Sequence, residues 1–157
     1  MQPYDYIEIR VPAKAQYVGV ARLTISGLAS RLGFTYDDIE DLKIASSEAI
    51  TNAVQHAYKE EEENGEVVVG CALFKDKIEI MIADHGKSFD FEETKKHVGP
   101  YNAKEEVKFL REGGLGLYSM ETLMDEVKVY HEKGVTVLMT KYLDREQVEV
   151  DAETISS

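Results

Sequence analysis

Glu48, Asn52 and His56 stand four residues apart in the run Glu48-Ala49-Ile50-Thr51-Asn52-Ala53-Val54-Gln55-His56. On a helix, residues at that spacing project from one face. A carboxylate beside a carboxamide can hold Mg²⁺ through oxygen and can take a proton from a hydroxyl. The same row also suits a polar helix face turned to water.

Three further groups have chemistry within reach. Asp84-His85-Gly86 closes an apolar run. A carboxylate there could accept a hydrogen bond from a purine amino group, and Gly86 would let the backbone approach a ligand. Asp and Gly are equally at home in a plain strand-ending turn. Gly113-Gly114-Leu115-Gly116-Leu117 runs straight into a helical pattern. Glycines allow close backbone approach, and a helix N-terminus offers N–H groups to a phosphate. The spacing fits neither a Walker A loop nor a Rossmann fingerprint, since no strand immediately precedes it. A flexible loop before a helix is the competing account. Arg111, just upstream, could reach a γ-phosphate or lie on the surface. Gly134-Val135-Thr136-Val137 reads by itself as a turn followed by a strand.

These groups need elements to position them. Tyr6–Val11 alternates as a half-buried strand that Pro12 ends, with Ile7, Ile9 and Val11 on one face. Ala13–Leu32 predicts a helix, its apolar face built from Val18, Ala21, Ile25, Leu28 and Leu32, with Gly33 as the stop. A second helix starts at Thr35, where Asp38 three residues on gives the form of a capping box. Ile39, Leu42, Ala45, Ala49, Ala53 and Ala57 continue it at intervals of three and four.

Lys59–Gly65 is a polar turn. Val67–Phe74 and Ile78–Ala83 then predict a hairpin around Lys75-Asp76-Lys77. Residues 87–112 are polar and irregular, with room for one short helix over 103–110. Leu117–Met124 reads as a helix, and Val127–Tyr130 with Val135–Tyr142 as a last hairpin. The order β-α-α-β-β-loop-α-β-β has more strands than a βαβ alternation would give. It predicts an α+β two-layer sandwich, a mixed β-sheet with helices on one face.

The 157 residues suit one domain with a proper core. A single domain over residues 1–143 and a polar tail over 144–157 are expected. No apolar run approaches the roughly 20 residues of a membrane helix, and the N-terminus lacks the pattern of a signal peptide. Cys71, the single cysteine, reads as a small core residue in a buried strand, and a cytoplasmic location follows as the default. The net charge of −12 argues against direct nucleic-acid binding, which needs clustered Lys and Arg. It suits a basic protein surface as a partner, and equally suits plain solubility.

Taken in order, the groups form a series. A Glu/Asn helix is followed by a strand ending in Asp-x-Gly and a polar stretch of about 26 residues. Gly-x-Gly then opens a helix, and Gly-x-Thr sits in a hairpin. This series resembles that of the GHKL ATPases, which include gyrase, MutL and histidine-kinase proteins, over roughly residues 40–140. The compact single domain and the runs Ser47–Tyr58 and Arg111–Leu117 resemble, within that group, the anti-sigma-factor serine kinases of Gram-positive bacteria.

The resemblance implies a Bergerat-type ATP-binding fold and a kinase that uses ATP and Mg²⁺. It implies that Glu48 is the general base toward a substrate serine and that Asn52 binds Mg²⁺. Asp84 would hold the adenine amino group, with Gly86 giving room to the ring and Thr136 supporting it. Gly114, Leu115 and Gly116 would wrap the phosphates, Arg111 would steady the γ-phosphate, and residues 87–112 would be a lid. His56 would brace the helix. No histidine precedes His56, which argues against autophosphorylation on histidine.

The implied partners are a sigma factor of the sigma-B, stress-response type, an anti-anti-sigma antagonist whose serine is phosphorylated, and a second copy in a homodimer. The first helix, with Arg22, is the expected partner surface. A nucleotide-sensing module that sequesters a partner without phosphotransfer is the alternative.

Overall fold

A computed structural model of the chain describes residues 3–59, 65–84, 116–131 and 135–143. In chain order these form β1 (Asp5–Pro12), a 3₁₀ turn (Ala15–Tyr17), α1 (Val18–Leu32), α2 (Tyr36–Lys59), β2 (Glu66–Leu73) and β3 (Lys77–Ala83). Then come α3 (Gly116–Leu123), β4 (Glu126–His131) and β5 (Val135–Tyr142). The expected lid over 87–112, the short helix over 103–110 and the tail over 144–157 lie outside the described residues.

The helix ends follow local chemistry. Gly33 closes α1 in the left-handed region, at φ 95° and ψ 18°, where a Cβ would be strained. The Gly33 N–H donates back to the Ala29 and Ser30 carbonyls. Thr35 caps α2, its Oγ1 accepting the Asp38 N–H at 3.2 Å. The second half of the expected capping box is replaced: the Asp38 carboxylate lies 3.8 Å from Lys141.

The five strands form one sheet in the order β1-β2-β3-β5-β4, and every neighbouring pair is antiparallel. The expectation of a mixed sheet is corrected on this point. Two helices, α1 and α2, carry the chain away and back between β1 and β2, so those neighbours run in opposite directions. β3 and β4 both oppose β5 and therefore run the same way, but β5 lies between them. Strands that run the same way, β1, β3 and β4 on one hand and β2 and β5 on the other, are thus never hydrogen-bonded neighbours.

The main core lies between the sheet and the helices. Val67, Val69, Cys71, Leu73, Ile78, Ile80, Ile82, Val137 and Met139 supply the sheet side. Ala21, Ile25 and Ala29 of α1, Leu42, Ala45, Ala49, Ile50 and Ala53 of α2, and Met120 of α3 supply the other. The alanines keep α2 close to the layers it joins, and α2 packs against both α1 and α3.

The opposite sheet face is also buried at its centre, where Ala72, Phe74, Met81 and Leu138 form a second cluster. Unbroken apolar runs such as Val67–Phe74, which lack a polar alternation, are the sequence sign of strands buried on both faces. Glu79 is buried on that face with an oxygen 3.0 Å from Lys77 Nζ.

Candidate functional site

Strand directions decide which residues can meet. Ala83, the last residue of β3, pairs with Thr136 near the start of β5, and Thr136 pairs on its other side with Tyr130 near the end of β4. α2 begins near the opposite end of the sheet, where Asp38 and Asp41 approach Lys141 of β5, and it runs toward the Ala83 end. α3 finishes beside the same lysine, whose Nζ donates to the Leu123 carbonyl at 2.6 Å. Since α3 packs along α2, its first residue, Gly116, lies toward the end of the sheet that carries Asp84 and Thr136.

Asp84 is 3% exposed and is fixed by the strand beside it. Its Oδ1 accepts the Val135 N–H at 2.9 Å, and its own N–H donates to the Val135 carbonyl at 3.3 Å. A carboxylate offers about four lone-pair sites, so holding Val135 does not exhaust its capacity to accept. Thr136 is buried one residue further on. Asp84 and Thr136, 52 positions apart in the chain, are brought together by the Ala83–Thr136 register.

Glu48 and Asn52 lie in the middle of α2, one turn apart, and His56 follows four residues later in the same helix. Glu48 is half-buried and Asn52 is buried at 8% exposure. The Asn52 Nδ2 has no hydrogen-bond partner among the described residues. Such a group costs about 1–3 kcal/mol when left unsatisfied, so it calls for a partner from outside them. A carboxamide suits a nucleotide-bound cation: its carbonyl is a hard oxygen donor, and its NH₂ can reach a phosphate oxygen. Among the described residues no three His, Cys, Asp or Glu side chains are grouped so as to hold a metal ion alone. Mg²⁺ is commonly held by one or two protein oxygens together with substrate phosphates.

Gly116 is the first residue of α3. Gly86, Arg111, Gly114 and Leu115 lie outside the described residues. Cys71 is fully enclosed, and burial pushes its thiol up to about 12, which leaves it a packing residue and not a nucleophile. Two contributors went unread in the sequence. The backbone of Val135 carries no side-chain signal. Lys141 carries one, because it shares a strand face with Val137 and Met139, where a charge is out of place.

The Histidine kinase-like ATPase domain family matches residues 11–141. A serine-protein kinase RsbW from Oceanobacillus iheyensis is 56% identical over 157 residues, covering 100% of this chain and 99% of the relative. The RsbW of Bacillus subtilis strain 168 is 60% identical over 147 residues, covering 94% of this chain and 91% of the relative. Among solved structures, the RsbU and RsbW domains of a Mycobacterium tuberculosis protein align over 91% of this chain and 34% of theirs. The TM-score is 0.63 at 23% identity, a likeness of fold.

Proposed function

This chain belongs to the RsbW serine-protein kinases, within the histidine kinase-like ATPase family, and we propose that it transfers the γ-phosphate of ATP to a serine of a protein antagonist. The observation that carries the reading is the convergence of three elements at one end of the sheet. α2 runs toward that end, Asp84 just beyond β3 and Thr136 of β5 sit at it, and α3 starts toward it.

Each site residue takes one task. Asp84, held still by Val135, accepts the adenine amino group, and Thr136 supports it from the next strand. Gly86 leaves space for the ring. Gly114, Leu115 and Gly116 bring N–H groups at the start of α3 to the phosphates. Asn52 supplies an oxygen to Mg²⁺, and Arg111 faces the γ-phosphate. When bound, Mg²⁺ neutralises phosphate charge as the reaction proceeds.

Glu48 then takes the proton from the incoming serine hydroxyl. The serine oxygen forms a bond to the γ-phosphorus, the bond from that phosphorus to the bridging oxygen breaks, and ADP leaves. Residues 87–112 close over the nucleotide as a lid on the 1–143 kinase domain.

The antagonist competes with a sigma factor of the stress-response type for this chain, so phosphorylation decides which partner is held. α1 is the surface we assign to partners. Arg22 is exposed there, and Val20 and Leu23 are exposed at 52% and 67%, high for apolar side chains. The working assembly is a homodimer in the cytoplasm. Among the described residues, no helix is long and apolar enough to cross a membrane.

The test is incubation with γ-labelled ATP, Mg²⁺ and the antagonist. Label on an antagonist serine, with none on a histidine of this chain, is the expected result. Nucleotide binding without label would replace the kinase by a nucleotide-sensing binder.

A further inference from the structure

Lys141 sits on β5, 8% exposed, at the end of the sheet away from Asp84 and Thr136. Its ammonium joins three elements. It donates to the Leu123 carbonyl at the C-terminus of α3 at 2.6 Å, and lies 3.8 Å from Asp38 and 3.6 Å from Asp41 in the first turns of α2. The neighbouring β5 residues hold the same corner. The Asp125 N–H donates to the Thr140 carbonyl at 3.0 Å, and the Tyr142 N–H donates to Asp125 Oδ2 at 2.7 Å.

The spacing gives this corner a reach into the site. Leu123 back to Gly116 spans seven positions, as does Asp41 forward to Glu48. Each covers about 10 Å at 1.5 Å per residue. α2 and α3 pack along each other and are tied at Lys141, so equal spans along the two helices bring Gly116 toward the level of Glu48. Asp41, Ala45, Glu48 and Asn52 also follow one another at intervals of four, three and four, on a single stripe of α2. A turn or shift of α3 at its tied end would therefore move its phosphate-facing start against the Glu48/Asn52 row.

We infer that Lys141 is a positioning residue for phosphotransfer: it fixes the register of α3 against α2, and through it the distance between the phosphates and Glu48. A lysine suits the task, because one ammonium can donate to a helix-ending carbonyl while its charge attracts two carboxylates beside it. It also favours both helix ends at once, as a cation near the C-terminus of α3 and as partner to acids near the N-terminus of α2.

This inference rests on the kinase reading above, and its test separates the two. Mg-ATP affinity is measured by calorimetry with no acceptor protein present, and transfer to the antagonist is measured separately. Lys141→Met, which keeps the stem and removes the donors, should bind Mg-ATP about fivefold more weakly and transfer at saturating ATP about tenfold more slowly, since small misplacements in a reacting pair cost rate heavily. Lys141→Arg should recover most of both.

A purely structural lysine would lower the melting temperature and leave affinity and turnover unchanged, which would overturn the inference. Should Lys141→Met fail to fold, Asp38→Asn with Asp41→Asn removes the α2 half of the tie and keeps the bond to Leu123. That variant should weaken Mg-ATP binding about threefold, by the same misplacement argument; no change would again overturn it. If the unsubstituted chain binds ATP yet labels no serine, the kinase reading fails while the affinity series still decides the role of Lys141.

Discussion

Asp84 Oδ1 accepts the Val135 N–H at 2.9 Å, so the first residue beyond β3 is locked to the first residue of β5. The bond gives Asp84 a structural duty besides its proposed adenine contact, and two substitutions separate them. Asn at position 84 keeps an oxygen for Val135 but replaces the other acceptor with an NH₂ that would face the purine amino group. Asp84→Asn should therefore melt within a few degrees of the original, yet lose on the order of 10–100-fold in ATP affinity, the worth of one hydrogen bond to a charged group. Asp84→Ala should lose affinity and stability together. Parallel melting and calorimetry check both, and an Asp84→Asn protein that binds ATP normally would remove the adenine contact.

Asn52→Ala should weaken nucleotide binding about tenfold in the presence of Mg²⁺, the loss of one oxygen ligand to the cation. With Mg²⁺ chelated, the two proteins should bind alike. Calorimetry with and without EDTA reads the difference, and an equal loss in both conditions would assign Asn52 to the phosphates alone.

Gly33 lies in the turn between α1 and α2, near the start of α2 and away from the Asp84 end of the sheet. Gly33→Ala forces a Cβ into the left-handed region and should cost about 1–2 kcal/mol. Urea unfolding should show the loss, while Mg-ATP affinity stays unchanged.

Cys71 gives a pH signature. Its ordinary value of 9.0 is pushed up to about 12 by burial. The unfolded chain therefore releases this proton before the folded one does. The contribution is fully present below pH 9 and is lost as pH rises toward 12, so stability should fall across that window. Cys71→Ala should flatten the slope there. Lys77 is also raised: burial alone would lower it, but the hydrogen bond and charge of Glu79 outweigh that, so it acts in the same alkaline direction. At neutral pH the native thiol should resist thiol reagents.

Local signals carried much of this fold. The interval of four between Glu48 and Asn52, the Gly33 stop, the Thr35 cap and the strand ending at Ala83 all depend on neighbours within a turn or two. Each element lies close to where its pattern places it. What local pattern could not carry is order across the sheet. β5 inserts between β3 and β4 through contacts between residues more than 50 positions apart, such as Ala83 and Thr136, and this makes the sheet antiparallel throughout. The first turn of the expected helix over Ala13–Leu32 is instead a 3₁₀ turn. At Lys141, strand parity betrays a charge on the core face, but only the assembled fold supplies Leu123, Asp38 and Asp41 as its partners.

Phosphotransfer by this chain needs a base at Glu48, and Glu48→Gln removes that base alone. Glutamine keeps the size and a polar head but cannot take the serine proton at neutral pH. Phosphate transfer from labelled ATP to the antagonist should fall by 10²–10⁴-fold, roughly the worth of a general base. Mg-ATP and sigma-factor binding should stay within about twofold, since the change removes a proton acceptor and not a binding contact. A folded Glu48→Gln protein that still labels the antagonist at the original rate would contradict the assignment of Glu48 as the base.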